Sequence, residues 1–170
     1  MKIVFDLDGV LRDLNGYLQT KFGIPYPQEW FWKHENKDIF DWIKQDNLSP
    51  LIYSPPTEYY WLVKHCFEKP EFWTNQPEEW KPKTKLWLDL HFEEYEVKYL
   101  TNAEKRKLLD ETPNTWLLDD NPLFTSWDRI LLIDRPYNRH IQDAIRIKGI
   151  EDFDSWIWRM IKTNEIKVEV

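Results

Sequence analysis

The chain opens with an uninterrupted apolar run, Ile3-Val4-Phe5, that breaks at once into Asp6-Leu7-Asp8-Gly9. Three β-favouring residues are too few for a helix, and a run without polar alternation predicts a central parallel strand buried on both faces. A strand ending in Asp-x-Asp brings both acids to the carboxyl edge of a sheet, where open α/β folds place their ligands. Gly9 then lets the backbone turn without a Cβ.

Downstream, the pattern divides in two. From residue 14 to residue 80 the spacing predicts short helices: Leu14, Tyr17, Leu18 and Phe22 stopped by Gly23, then Ile39, Phe40, Trp42 and Ile43, then Tyr60 to Phe67 after an N-cap at Thr57. Eight of the eleven prolines fall between Pro25 and Pro82, which favours short segments joined by rigid turns. From Pro82 onward, helix and strand alternate as in a parallel sheet. Helices are expected over Thr84 to Phe92, Ala103 to Asp110 and Asp152 to Ile161. Strands are expected over Glu96 to Leu100, Thr115 to Leu118, Arg129 to Ile133 and Ala144 to Ile147. The expected fold is therefore α/β: a small Rossmann-like parallel sheet flanked by helices, residues 1–13 and 81–170, with a helical cap, residues 14–80, inserted after the first strand.

Composition excludes several functional classes. With 42% hydrophobic and 16% aromatic residues in 170, the chain can build one sizeable core and is not disordered. A net charge of −7 argues against a polynucleotide partner, which needs clustered Lys and Arg, while a small anion remains possible if a metal supplies positive charge. No apolar run suits a membrane span or a secretory leader, and the single Cys66 suits a reducing compartment, so a soluble cytoplasmic protein is expected. Six of eleven tryptophans (Trp30, Trp32, Trp42, Trp61, Trp73, Trp80) lie between the first strand and residue 80, either as core or as a stacking surface for a base.

Three expected strands finish in Asp6/Asp8, Thr101 and Asp119/Asp120, and in a parallel sheet such ends converge on one crevice. Four carboxylates brought together repel one another unless a hard cation sits among them, and oxygen-only ligation suits Mg²⁺. The histidines, His34, His65, His91 and His140, are scattered and form no zinc set.

Asp-Leu-Asp-Gly-Val, a strand ending in Thr, and Leu-Leu-Asp-Asp together resemble the haloacid-dehalogenase-like phosphohydrolases. The resemblance implies that Asp6 is a nucleophile forming an aspartyl-phosphate and that Asp8 is its acid/base partner. It implies phosphate contacts from Thr101 and Asn102, and Mg²⁺ held by Asp6, Asp8 (through its carbonyl), Asp120 and Asp119. Within that superfamily, Trp116 to Asp120, Ser126-Trp127 and Asn138-Arg139-His140 look like the 5'(3')-deoxyribonucleotidase branch, as does the aromatic pair Phe31-Trp32. That likeness adds Leu14 and Phe67 to the substrate pocket and implies a nucleoside monophosphate as substrate. As bare residues, these aromatics read as core packing. The family usually has one more strand between its Thr and Asp-Asp motifs, with a phosphate-binding Lys there. Between Thr101 and Asp119 only one helix fits, so that strand looks missing, and the lysine is assigned to Lys105, in the first turn, rather than Lys107. The alternatives are a phosphatase for another small ester or a nucleic-acid end, or a nucleotide-binding relic without catalysis.

Overall fold

The computed structural model describes residues 1–124 and 129–163. Its elements in chain order are β1 (Lys2–Phe5), α1 (Leu14–Phe22), α2 (Ile39–Gln45), α3 (Pro50–Tyr53), α4 (Tyr59–Cys66), β2 (Glu71–Thr74), α5 (Lys81–His91), β3 (Glu96–Tyr99), α6 (Asn102–Glu111), β4 (Thr115–Asp119), β5 (Ile130–Ile133), β6 (Ile145–Ile147) and α7 (Ile150–Lys162). The strands form one six-stranded sheet in the order β3-β2-β1-β4-β5-β6. Every pairing is parallel. This is a Rossmann-like α/β fold. Among the described residues no helix is long and apolar enough to cross a membrane.

The two faces of the sheet follow from strand periodicity, because successive side chains point to opposite sides. Phe5, Phe72 and Leu118 enter one core with Tyr59, Tyr60 and Val63 of α4, Trp87 and Leu88 of α5 and Phe153, Trp156 and Met160 of α7. Val4, Trp73 and Leu117 enter the opposite core with Leu109 of α6. A third cluster, Leu14, Leu18, Ile24, Trp42, Ile43, Leu51 and Trp80, holds α1, α2 and α3 together as a cap.

One strand departs from expectation. Glu71–Thr74 lies within the stretch read as helical cap, yet it is β2, paired to β1 on one side and β3 on the other. Between Thr101 and Asp119 the chain has only α6 before β4, as expected, while β2 adds a strand to the sheet, and with α4 packed on the main sheet the cap is smaller than residues 14–80. Bracketing by Pro70 and Pro77 and a length of four residues make the segment look like a cap turn. Its burial decides the matter: Glu71, Phe72, Trp73 and Thr74 are all buried, as a strand enclosed on both faces requires. The carboxyl-terminal helix and the edge strand β6 match their predicted places, and Ser126, Trp127 and the tail after residue 163 lie outside the described residues.

Candidate active site

The sheet order reverses direction between β1 and β4, so the connections leave those two strands on opposite sides and open a crevice at their carboxyl ends. Asp6 follows β1, and Asp119 ends β4 with Asp120 next to it. One carboxylate oxygen from each of Asp6, Asp119 and Asp120 lies within 4.8 Å of the other two, and all three residues are buried. Between them comes Lys105 from the first turn of α6, 2% exposed, donating to Asp6 Oδ1 at 2.7 Å and Asp119 Oδ2 at 2.9 Å.

Two further carboxylate oxygens are engaged. Asp119 Oδ1 accepts from the Asn121 amide at 2.9 Å, and Asp120 Oδ2 accepts from the Tyr137 hydroxyl. The fully buried Asn138 donates to the Asp120 carbonyl at 2.8 Å and to the Ile133 carbonyl at 2.7 Å, pinning the end of β4 to the end of β5. Gly9 has φ +81°, and a Cβ there would stand 1.9 Å from Asp120 Oδ2, so only glycine fits between the two loops.

Electrostatically the cluster is short of positive charge. Burial, helped by Asp119 and Asp120 and opposed by Lys105, raises the Asp6 carboxyl well above its usual range. Burial and then Asp119 push Asp120 up to about 7. Burial works against the Lys105 ammonium, but Asp119 and Asp6 outweigh it and hold the lysine charged. Three acids facing one ammonium leave excess negative charge in a buried place. A hard divalent cation with oxygen ligands relieves that excess, and no His or Cys belongs to the cluster, so these residues fit such a metal.

The Asp8 carboxylate is bonded outside the acid cluster. Its Oδ1 accepts from Arg12 Nε at 2.7 Å and its Oδ2 from Gln76 Nε2 at 2.6 Å. Arg12 is fully buried, and its other nitrogens donate to the Leu51 carbonyl at 2.6 Å and the Thr84 hydroxyl at 3.2 Å.

A cavity of about 350 Å³ lies above the acids. Its floor is Asp6, Asp8, Thr74, Asn75, Asn102, Lys105, Asp119 and Asp120, and its walls are mostly apolar cap residues, including Leu14, Trp30, Phe31, Trp32, Phe40 and Trp80. Phe31 is 81% exposed and Trp32 half-buried against the cap core. Trp30 lies against Tyr137, with ring centroids 5.4 Å apart.

Two residues expected at the site are elsewhere. Thr101 is exposed and does not line the cavity. Its hydroxyl accepts from the Glu104 amide, while Glu104 Oε2 accepts from the Thr101 amide at 2.7 Å, which makes it the cap of α6. Because β2 separates β3 from β1, the strand end adjacent to Asp6 is Thr74-Asn75. Phe67 packs on the Phe5 ring at 5.0 Å and borders a surface hollow with Met1, Lys2 and Pro70, at the amino end of the sheet. Sequence reasoning passed over Thr74, Asn75, Gln76, Arg12 and Tyr137. For Thr74 the available signal was the tripeptide Phe72-Trp73-Thr74, apolar and then Thr, the same pattern that drew attention to Thr101.

No protein-family model matches this sequence, and no curated protein matches it. The reading of the site rests on its own geometry.

Proposed function

We propose that this chain is a Mg²⁺-dependent phosphomonoesterase of the haloacid-dehalogenase-like type, acting on nucleoside monophosphates. The observation that carries the reading is the meeting of Asp6 with Asp119, Asp120 and the buried Lys105 at the reversal point of a parallel sheet, beneath an aromatic cavity.

In this reading the Asp6 carboxylate attacks phosphorus. An O–P bond forms to Asp6, the bond from phosphorus to the ester oxygen breaks, and the Asp8 carboxyl gives its proton to that oxygen. Water then attacks the same phosphorus, loses its proton to Asp8, and releases inorganic phosphate and free Asp6. Lys105 holds the Asp6 carboxylate in place and offsets charge on the phosphoryl oxygens. Thr74 and Asn75, at the end of the neighbouring strand, take the phosphate-holding part first given to Thr101. Asp6, Asp119 and Asp120, with the Asp8 carbonyl, would hold Mg²⁺, which supplies the positive charge that lets a phosphate dianion approach three carboxylates. The exposed Phe31 ring beside Trp30 and Trp32 offers a flat apolar surface, which favours a base over a sugar as the leaving half.

A panel of mononucleotides, sugar phosphates and p-nitrophenyl phosphate, assayed with Mg²⁺ and with chelator, tests the reading. Turnover should be highest on mononucleotides and vanish with chelator or with Asp6→Asn. Activity that survives Asp6→Asn defeats the covalent route, and a preference for sugar phosphates defeats the substrate assignment.

A further inference from the structure

Asp8 is held on both of its oxygens, and neither of the groups holding it belongs to the acid cluster. Arg12 Nε is 2.7 Å from Oδ1, and Gln76 Nε2 is 2.6 Å from Oδ2. Each group is itself fixed. The fully buried Arg12 guanidinium spends its other nitrogens on a cap carbonyl, Leu51, and a core hydroxyl, Thr84, and stacks over Trp87 at 5.7 Å. Three fixed bonds and a stacked face give a planar fork one orientation. Gln76 stands on the loop after β2, two positions beyond Thr74. A carboxylate only accepts, so the amide nitrogen must face Asp8. That choice leaves Gln76 Oε1 buried with no partner among the described residues. An unpaired buried carbonyl destabilises the fold. Stability alone would therefore prefer an apolar side chain at position 76, and what the glutamine accomplishes there is its bond to Asp8.

We propose that Arg12 and Gln76 are positioning residues for Asp8, clamping its carboxyl so that it can take the proton from the water that frees phosphate from Asp6. The proposal rests on the reaction assigned above. In that reaction an aryl ester such as p-nitrophenyl phosphate leaves as a stable phenolate without needing a proton, whereas the water attacking the phosphoenzyme must lose one. Loss of the clamp therefore spares the first half of the cycle on this substrate and slows the second.

Gln76 is half-buried, so Gln76→Leu is the variant of choice, and Arg12→Lys, which keeps charge but not the fork, is its companion. Rapid mixing of Mg²⁺-loaded Gln76→Leu with p-nitrophenyl phosphate should give a burst of about one equivalent of nitrophenolate at the wild-type rate, followed by steady turnover roughly 10–100-fold slower. Acid quenching should trap phosphate on Asp6. Thermal unfolding of Gln76→Leu should be unchanged or shifted upward, because the orphaned carbonyl is gone. Arg12→Lys should show the same burst. If it unfolds instead, the arginine half of the proposal fails and the glutamine half stands on its own variant. A burst and steady state that slow together, or that both stay at wild-type rates, overturn the clamp. A wild-type protein that releases no nitrophenolate at all overturns the phosphatase reading itself, which separates the two failures.

Discussion

Gly9 carries two demands that no other residue type meets, a left-handed φ of +81° and a hydrogen in place of the Cβ that Asp120 would strike. Gly9→Ala therefore combines a backbone cost of about 1–2 kcal/mol with displacement of a carboxylate from the acid cluster. We expect a lowered melting temperature and turnover reduced by about 100-fold or more, the larger part from misplacement of reacting groups. Measuring both separates the effects, and a variant that loses stability but keeps full turnover refutes the contact with Asp120. At this scale the sequence was informative where chemistry is concentrated in adjacent positions. Asp6, Asp8, Gly9, Asp119 and Asp120 announce themselves as pairs, and Lys105 could be chosen over Lys107 by its turn of the helix. Arg12, Gln76 and Tyr137 were not legible, because their significance lies in partners 4, 68 and 17 positions away that only folding selects.

At the scale of elements, β2 was the lesson. A strand of four residues has too little length to display a period, and its first residue, Glu71, is a charged group at a buried position. Glu71 is tolerated there because its carboxylate receives Trp73 Nε1 at 2.6 Å, Lys98 at 2.6 Å and Lys2. Burial raises this carboxyl, but the bonds from Lys2, Lys98 and Trp73 outweigh it and hold the pKa down to about 2, against a usual value of 4.5. A carboxyl whose folded pKa is depressed stabilises the fold above the unfolded value and loses that contribution as the pH falls through the folded one. Glu71→Gln should therefore melt below the wild type at pH 6 to 7, and the gap should close as the pH drops from about 4.5 towards 2. A gap independent of pH would assign the loss to packing instead. Misreading β2 also misplaced Thr101 by one strand, since the residue that adjoins Asp6 is set by sheet order and not by order along the chain.

For the whole molecule, the proposed binding of a cation by three buried acids around one lysine would make the fold itself its reporter. A ligand that binds only the native state stabilises it by mass action, about 2.7 kcal/mol at a hundredfold excess over its dissociation constant. In a chain of this length that corresponds to a rise of roughly 5–10 °C in melting temperature. Mg²⁺ should produce such a rise in wild-type protein and little or none in Asp119→Asn, as read by thermal unfolding with and without chelator. The architecture was legible from the sequence because α/β alternation after Pro82 admits few topologies, and the cap because prolines and short helical runs mark it. The division between cap and sheet was not, since α4 and β2 continue the cap's composition while packing on the main core.

The position of β1 at the middle of the sheet has a consequence for how the molecule comes into being. Asp6 precedes the ammonium that secures it by 99 positions, and the strand carrying the other acids is later still. Contacts so distant in sequence are closed late and slowly. No fragment that stops short of β4 can contain the acid cluster, however well its helices have formed. Under the proposed function, turnover in a refolding sample would count only chains whose central strands have met, a stricter gauge of completed assembly than helical content.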